Sequence, residues 1–242
     1  MDASRPRRYT GRMLSPRLFL RFLPALLLGH LPLALADEAP SPFAKWEKEV
    51  AALETRDSAG PNAKGAIVFV GSSSIKRWTT LAEDFPQHRV LNHGFGGSQL
   101  RDAAHFAERL VTAFEPRFIV VYAGGNDINA KRTAEQVFTS FQDFVAAVRA
   151  KQPATPIAYI SIAGNPKRWA QVEKVKKANA LIEGYTKTQP YLQFIDVFPA
   201  MLGVDELPLP HIFVADKLHM NPEGYKLWTG IVGRHLPAPD VQ

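Results

Sequence analysis

The chain has 242 residues, 46% hydrophobic and 21% charged, with 29 Lys+Arg against 23 Asp+Glu and no cysteine. That length supplies one core-forming domain or at most two, and the composition excludes wholesale disorder. Without cysteine, disulfides, thiolate metal sites, iron–sulfur clusters and thiol nucleophiles are all out. The formal charge of +6 implies an acidic partner such as nucleic acid only if it sits on the folded domain.

It does not. Residues 1–36 hold Arg5, Arg7, Arg8, Arg12, Arg17 and Arg21 against the single acid Asp2. An apolar stretch from Phe22 to Leu33 follows, and Ala34-Leu35-Ala36 forms a small-x-small pattern before Asp37. Basic, then apolar, then small is the order of a signal peptide, here with cleavage near Ala36. Arg21, His30 and two prolines break the run, whereas a membrane anchor needs about 18 uninterrupted apolar residues. Arg7-Arg8 hints at a twin-arginine route, and the missing cysteine excludes a lipid-anchored lipoprotein. The expected product is exported, periplasmic or secreted, with no stable membrane span. Beyond residue 36 there remain 23 basic and 22 acidic side chains, so no nucleic-acid partner is implied.

Residues 37–64 read as an N-terminal helix and loop. Ser41-Pro42 starts the helix, which turns Phe43, Trp46, Val50 and Leu53 to one side, and Arg56 to Lys64 is a polar loop. Residues 65–242 form the main domain. Five short apolar runs predict buried strands: Ala66–Val70, Arg89–Leu91, Phe118–Ala123, Ile157–Ile162 and Leu192–Val197. Helical periodicity fills the gaps at Gln99–Phe114, after the cap residue Thr133, at Arg168–Thr186, and after Asn221-Pro222. Strands alternating with helices predict a parallel sheet covered on both faces, a three-layer α/β/α domain. Such sheets take ligands at the carboxyl ends of their strands.

Four polar blocks fall at those ends. Gly71-Ser72-Ser73-Ser74 follows the first strand, where a hydroxyl can cap a helix, bind an anion or act as a nucleophile. No G-x-S-x-G elbow is present, which excludes the α/β-hydrolase arrangement. Asn92-His93-Gly94-Phe95-Gly96-Gly97 follows the second strand and presents backbone N–H groups close to a ligand. Gly124-Gly125-Asn126-Asp127 follows the third, with an amide able to donate into the same cleft. Asp216-Lys217-Leu218-His219 stands before the last helix, where the carboxylate can fix the imidazole tautomer.

In this order the blocks resemble the SGNH hydrolases, or GDSL-type esterases and lipases. The likeness is strongest to the branch related to the platelet-activating-factor acetylhydrolase catalytic subunit, which shares the N-x-G-x-G-G spacing. It covers about residues 66–236. The resemblance implies a flavodoxin-like five-stranded sheet and ester hydrolysis without metal or other cofactor. It implies Ser73 as nucleophile, His219 as base and Asp216 as its orienter, with Ser73, Gly97 and Asn126 as the oxyanion hole. One position departs: Ser72 replaces the usual aspartate before the nucleophile, so Ser72 and Ser74 compete with Ser73 for the role. The substrate would be a small-molecule, sugar or lipid ester.

An alternative is a noncatalytic flavodoxin-like domain binding a glycan, lipid or phosphate-bearing ligand, which leaves Asn126, Asp216 and His219 without a task. His88, His105 and His235 read as surface residues, and His211 as part of a rigid Pro-rich connector. His93 is a candidate cleft residue. Trp78, Phe95 and Trp169 serve either the cleft or the core. Asp127 reads as support for the Asn126 turn, and Pro166-Lys167-Arg168 as a solvated loop, with attraction of an anionic substrate as the alternative. No cluster has metal-ligand spacing, and oligomeric state has no signature.

Overall fold

A run of β-branched and aromatic residues without a polar side favours a strand buried on both faces, and the first such run, β1 (Ile67–Gly71), is buried at all five positions. The computed structural model describes residues 41–58 and 64–239. The expected signal segment and its cleavage point near Ala36 lie outside the described residues, as do residues 59–63 of the expected loop. The other strands are β2 (Val90–Gly94), β3 (Phe118–Tyr122), β4 (Ile157–Ile160) and β5 (Leu192–Ile195). All pair in parallel, in the order β2-β1-β3-β4-β5. The sheet is therefore the flavodoxin-like arrangement, and its switch point lies between β1 and β3, where a crevice opens at the carboxyl ends.

Alternation along each strand divides the core into two halves. On one face Val68, Val70, Ile119, Val121 and Tyr159 pack under α1 (Glu47–Ser58), α4 (Leu100–His105), α5 (Ala107–Leu110), α7 (Ala134–Arg149) and α8 (Val172–Thr188). On the other, Ile67, Phe69, Val120, Tyr122 and Ile160 pack under α2 (Ser73–Lys76), α3 (Leu81–Asp84) and α9 (Pro222–Val232). Here α6 (Gly125–Asn129) is the short helix that follows β3. Trp78, Phe95 and Trp228 are fully buried, so Trp78 and Phe95 serve the core.

Several boundaries differ from the sequence expectation for local reasons. The N-terminal helix begins a turn later, because residues 44–46 form a 3-10 turn first. It also runs on through Arg56 and Asp57, which bond to Asn92 O and His93. Its Val50 and Leu53 join the same core as the sheet. The helix expected over Gln99–Phe114 breaks at Phe106 and Val111, whose backbones leave helical geometry. The helix expected from Arg168 begins at Val172. Asn165 Oδ1 caps a preceding 3-10 turn through Arg168 N (3.0 Å), within which Arg168 is non-helical. Thr133 and Asn221 cap α7 and α9 as expected, with Thr133 forming a reciprocal capping box with Gln136.

Candidate active site

The first loop is made possible by Gly71, at φ +141°, where a Cβ would stand 1.9 Å from Tyr122 O. Strands β1 and β3 thus close tightly at their ends, and Ser72 N donates to Tyr122 O (2.9 Å). The chain turns directly into α2, placing Ser73 at its first position. A Cβ at Gly94 would fall 2.1 Å from Lys76 N, so the end of β2 lets α2 settle against the sheet. Asn92 Nδ2 then donates to Ile75 O (2.7 Å) and Trp78 O (3.1 Å), anchoring the far end of that short helix.

Ser73 Oγ lies 2.9 Å from His219 Nε2, and His219 Nδ1 lies 2.6 Å from Asp216 Oδ2. A donating Nδ1–H leaves Nε2 bare to accept the seryl proton. Asp216 Oδ1 accepts from the backbone N–H groups of Leu218 and His219, both at 2.9 Å. The hydrogen bond from the imidazole, with these backbone donors, holds the Asp216 carboxyl well below the usual range. The loop is closed by Val214 N donating to His219 O (2.9 Å) and by a bridge between Phe213 and Met220. Its tightness puts Lys217 at φ +59°, an uncommon conformation outside glycine. Ser72 is buried, and Ser74 O accepts from Tyr225 OH (2.9 Å). Of the three serines, Ser73 is the one bonded to the imidazole.

The second and third loops are stitched to the first. Phe95 N (2.9 Å) and Ser98 Oγ (3.2 Å) both donate to Gly71 O. Asn126 Nδ2 donates to Ser98 O at 3.0 Å. Arg168 Nη1 donates to Asn126 Oδ1 (3.0 Å) and Gly125 O (3.1 Å). A guanidinium only donates, so this contact fixes the amide's oxygen toward Arg168 and its nitrogen toward the Ser98 side. One amide hydrogen is used on Ser98, and the other remains for a ligand. Asp127, fully buried, accepts from Leu100 N (2.9 Å), with Arg132 Nε at 3.7 Å. Burial pushes its carboxyl up to about 6.

The N-terminal helix supports this cluster from outside. Glu49 Oε1 accepts from Gly96 N (3.2 Å) and Lys76 Nζ (2.7 Å), joining the glycine loop to α2. Trp46 meets Phe95 edge-on at 5.6 Å, and its Cη2 is 3.5 Å from where a Gly97 Cβ would stand.

Two cavities open from the Ser73–His219 pair. One, about 40 Å³, is lined by apolar Tyr122, Ile162, Met201, Phe213, Met220 and Trp228 together with polar Asn126, Asn165, Arg168 and Gln171. The other is an open groove of about 370 Å³ beside Gly97 and Arg77.

Structure and sequence expectation part at several residues. His93 does not line the cleft: it is fully buried, with Nδ1 2.5 Å from Leu110 O and Nε2 2.9 Å from Asp57 Oδ2. His88 is buried rather than on the surface, with Nδ1 3.0 Å from Arg117 Nη2. In keeping with the sequence reading, His211 is exposed on its connector and Trp169 lines the smaller cavity. Arg168 is no solvated loop residue; the Asn-Pro capping signature before it is the signal that a helix entry, and hence the cleft, is near. Glu49 and Trp46 carried no such signal. Among the described residues, no three potential ligands converge on a metal position.

The family model of GDSL-like lipases and acylhydrolases matches residues 58–227. No curated protein matches the chain. Among solved structures, a Streptococcus pneumoniae protein named for platelet activating factor is 18% identical. It aligns over 79% of this chain and 92% of its own, with TM-score 0.71. A GDSL-like lipase from Bacteroides thetaiotaomicron is 20% identical over 80% of this chain and 96% of its own, with TM-score 0.64. A family 3 carbohydrate esterase from Talaromyces cellulolyticus is 19% identical over 71% and 95%, with TM-score 0.59. At these identities the likeness is one of fold.

Proposed function

The chain belongs to the GDSL-like lipase/acylhydrolase family and is an ester-hydrolysing serine hydrolase; from that premise we propose that Ser73, His219 and Asp216 carry its reaction. The supporting observation is the relay itself, Ser73 Oγ to His219 Nε2 at 2.9 Å and His219 Nδ1 to Asp216 Oδ2 at 2.6 Å. His219 takes the seryl proton as Oγ attacks the ester carbonyl, then gives it to the departing alcohol. Asp216 keeps the imidazole in the right tautomer and stabilises the transient imidazolium. The backbone N–H groups of Ser73 and Gly97 and the Asn126 amide hold the oxyanion, each such donor lowering the barrier by about 2.7–4 kcal/mol. Water then attacks the acyl-enzyme with His219 again as base. A silent binding domain would leave this relay without a purpose.

The acyl group enters the smaller cavity, against its apolar residues Tyr122, Ile162, Met201, Phe213, Met220 and Trp228. Its volume of about 40 Å³ accommodates only a few heavy atoms, since one water-sized sphere occupies roughly 10–15 Å³ on this measure. Acetyl and similarly short acyl esters of small molecules or sugars fit, and long lipid acyl chains do not. The basic, apolar and small-residue order of residues 1–36 supports export to the periplasm or beyond. Among the described residues, no helix is long and apolar enough to cross a membrane. Hydrolysis of 4-nitrophenyl acetate by Ser73→Ala tests the assignment. Turnover should disappear, and a rate near wild type would remove Ser73 from the role.

A further inference from the structure

The smaller cavity accounts for the acyl half of an ester, and the open groove must take the other. The groove is bordered by Ser73, Gly97, Asn126 and His219, together with Lys76, Arg77 and Arg168, and no carboxylate lines it. Arg77 is four residues beyond Ser73 across the end of α2, so the two side chains share a helical face. Lys76 is paired with Glu49. Arg77 and Arg168 are not: among the described residues, neither forms an ion pair with an acid. Arg168 uses only Nη1 on Asn126 and Gly125, and it lines both the groove and the smaller cavity.

Lys167 N donates to Lys217 O (3.0 Å), which joins the Arg168 turn to the His219 loop with an exposed lysine on each side. Two acids stand nearby: Glu49, held by Lys76 and Gly96 N, and Asp216, whose oxygens are occupied by His219 and the loop's own N–H groups. The groove lining thus carries Lys76, Arg77 and Arg168 and no carboxylate, in a chain whose formal charge beyond residue 36 is close to zero. Such a lining favours an anion with forked acceptor oxygens, which guanidinium groups match in geometry as well as charge.

We propose that this groove is a subsite for an anionic group, phosphate or carboxylate, on the alcohol portion of the substrate. The inference rests on the esterase reading above and names the substrate class for it: a short acyl ester of a negatively charged alcohol. Hydrolysis would release the short acid and the anionic alcohol, with His219 returning the proton to the alcohol oxygen. The anion adds binding without entering the chemistry.

The test compares 4-acetoxyphenyl phosphate and 4-acetoxybenzoate with neutral methyl 4-acetoxybenzoate, each kcat/KM divided by the ester's uncatalysed rate. The two anionic esters separate phosphate from carboxylate as the preferred group. At 50 mM salt, at least one should exceed the neutral ester by tenfold or more, and the advantage should shrink markedly in 0.5 M NaCl. Arg77→Gln should reduce the anionic-to-neutral ratio at least fivefold. Equal normalised rates for all three esters in the wild-type protein would overturn the subsite while leaving the esterase intact. Binding of 4-hydroxyphenyl phosphate and 4-hydroxybenzamide by calorimetry needs no turnover. If no ester is cleaved but the phosphate binds at least tenfold tighter than the amide, the esterase reading fails and the subsite stands. Equal binding of the two would overturn the subsite.

Discussion

At the scale of single residues, the least expected feature is the arginine behind the oxyanion amide. Asn126 can serve an oxyanion only with its nitrogen toward Ser73, and Arg168 holds its oxygen the other way at 3.0 Å. Asn126→Ala should therefore lower kcat by two to three orders of magnitude with little change in KM, as expected for a donor used mainly in the transition state. Arg168→Gln should lower kcat on a neutral ester by about tenfold. Added to Asn126→Ala it should have little further effect, because Arg168 works through that amide. Full additivity in the double variant contradicts the positioning role. Asp127 gives a different kind of prediction. Its carboxyl sits at about 6, above the roughly 3.9 of an unfolded chain. The folded protein thus keeps a proton that the unfolded chain gives up. The resulting stability is full in acid and is lost as pH rises through about 6. The difference in unfolding free energy between Asp127→Asn and wild type should then move in favour of the variant by up to about 3 kcal/mol from pH 3 to pH 8. Denaturant melts at the two pH values measure it, and a pH-independent difference would show that burial does not perturb this carboxyl.

At the scale of elements, the N-terminal helix has a part in the site that the core motifs do not announce. Glu49 joins Gly96 N to Lys76, so α1 fixes the loop that presents the Gly97 N–H. Glu49→Ala should lower kcat about tenfold at nearly constant KM, since a slight displacement of an oriented donor is costly. Glu49→Gln, which retains an oxygen for Gly96, should keep most of the activity. A fall in melting temperature with unchanged kcat would reduce α1 to a structural role. This helix also shows where sequence reading reaches its limit. Phe43, Trp46, Val50 and Leu53 predict an amphipathic helix because periodicity is local information. That Glu49 meets Gly96 depends on a contact 47 residues away, for which no spacing rule exists. The strands were legible for the converse reason: Ile67–Val70 and Phe118–Tyr122 are apolar on both sides, and only a sheet covered on both faces accommodates that. The kink at Phe106 and the non-helical Arg168 were not legible, because tertiary packing decides them. His93 was misread for the same reason. A histidine beside a glycine turn looks available, yet its neighbours Leu110 O and Asp57 bury it.

For the whole molecule, the order β2-β1-β3-β4-β5 brings together polar blocks separated by as many as 146 residues. Each block follows a strand or precedes a helix, so their meeting follows from the topology. Their mutual hydrogen bonds through Gly71 O, Ser98 O and Leu100 N then lock the loops into one unit. The charge distribution has the same lesson at a larger scale. The formal +6 of the full chain says little about the domain, whereas the local excess around Arg77 and Arg168 says what the groove can hold. The central claim is that one serine of the Ser72-Ser73-Ser74 triplet is activated by His219. Incubation with a fluorophosphonate, followed by intact-mass and peptide mass spectrometry, tests it most directly. A single adduct should form on Ser73 in the wild-type protein and be lost or greatly slowed in His219→Ala. An adduct on Ser72 or Ser74, or labelling that proceeds equally without His219, would contradict it.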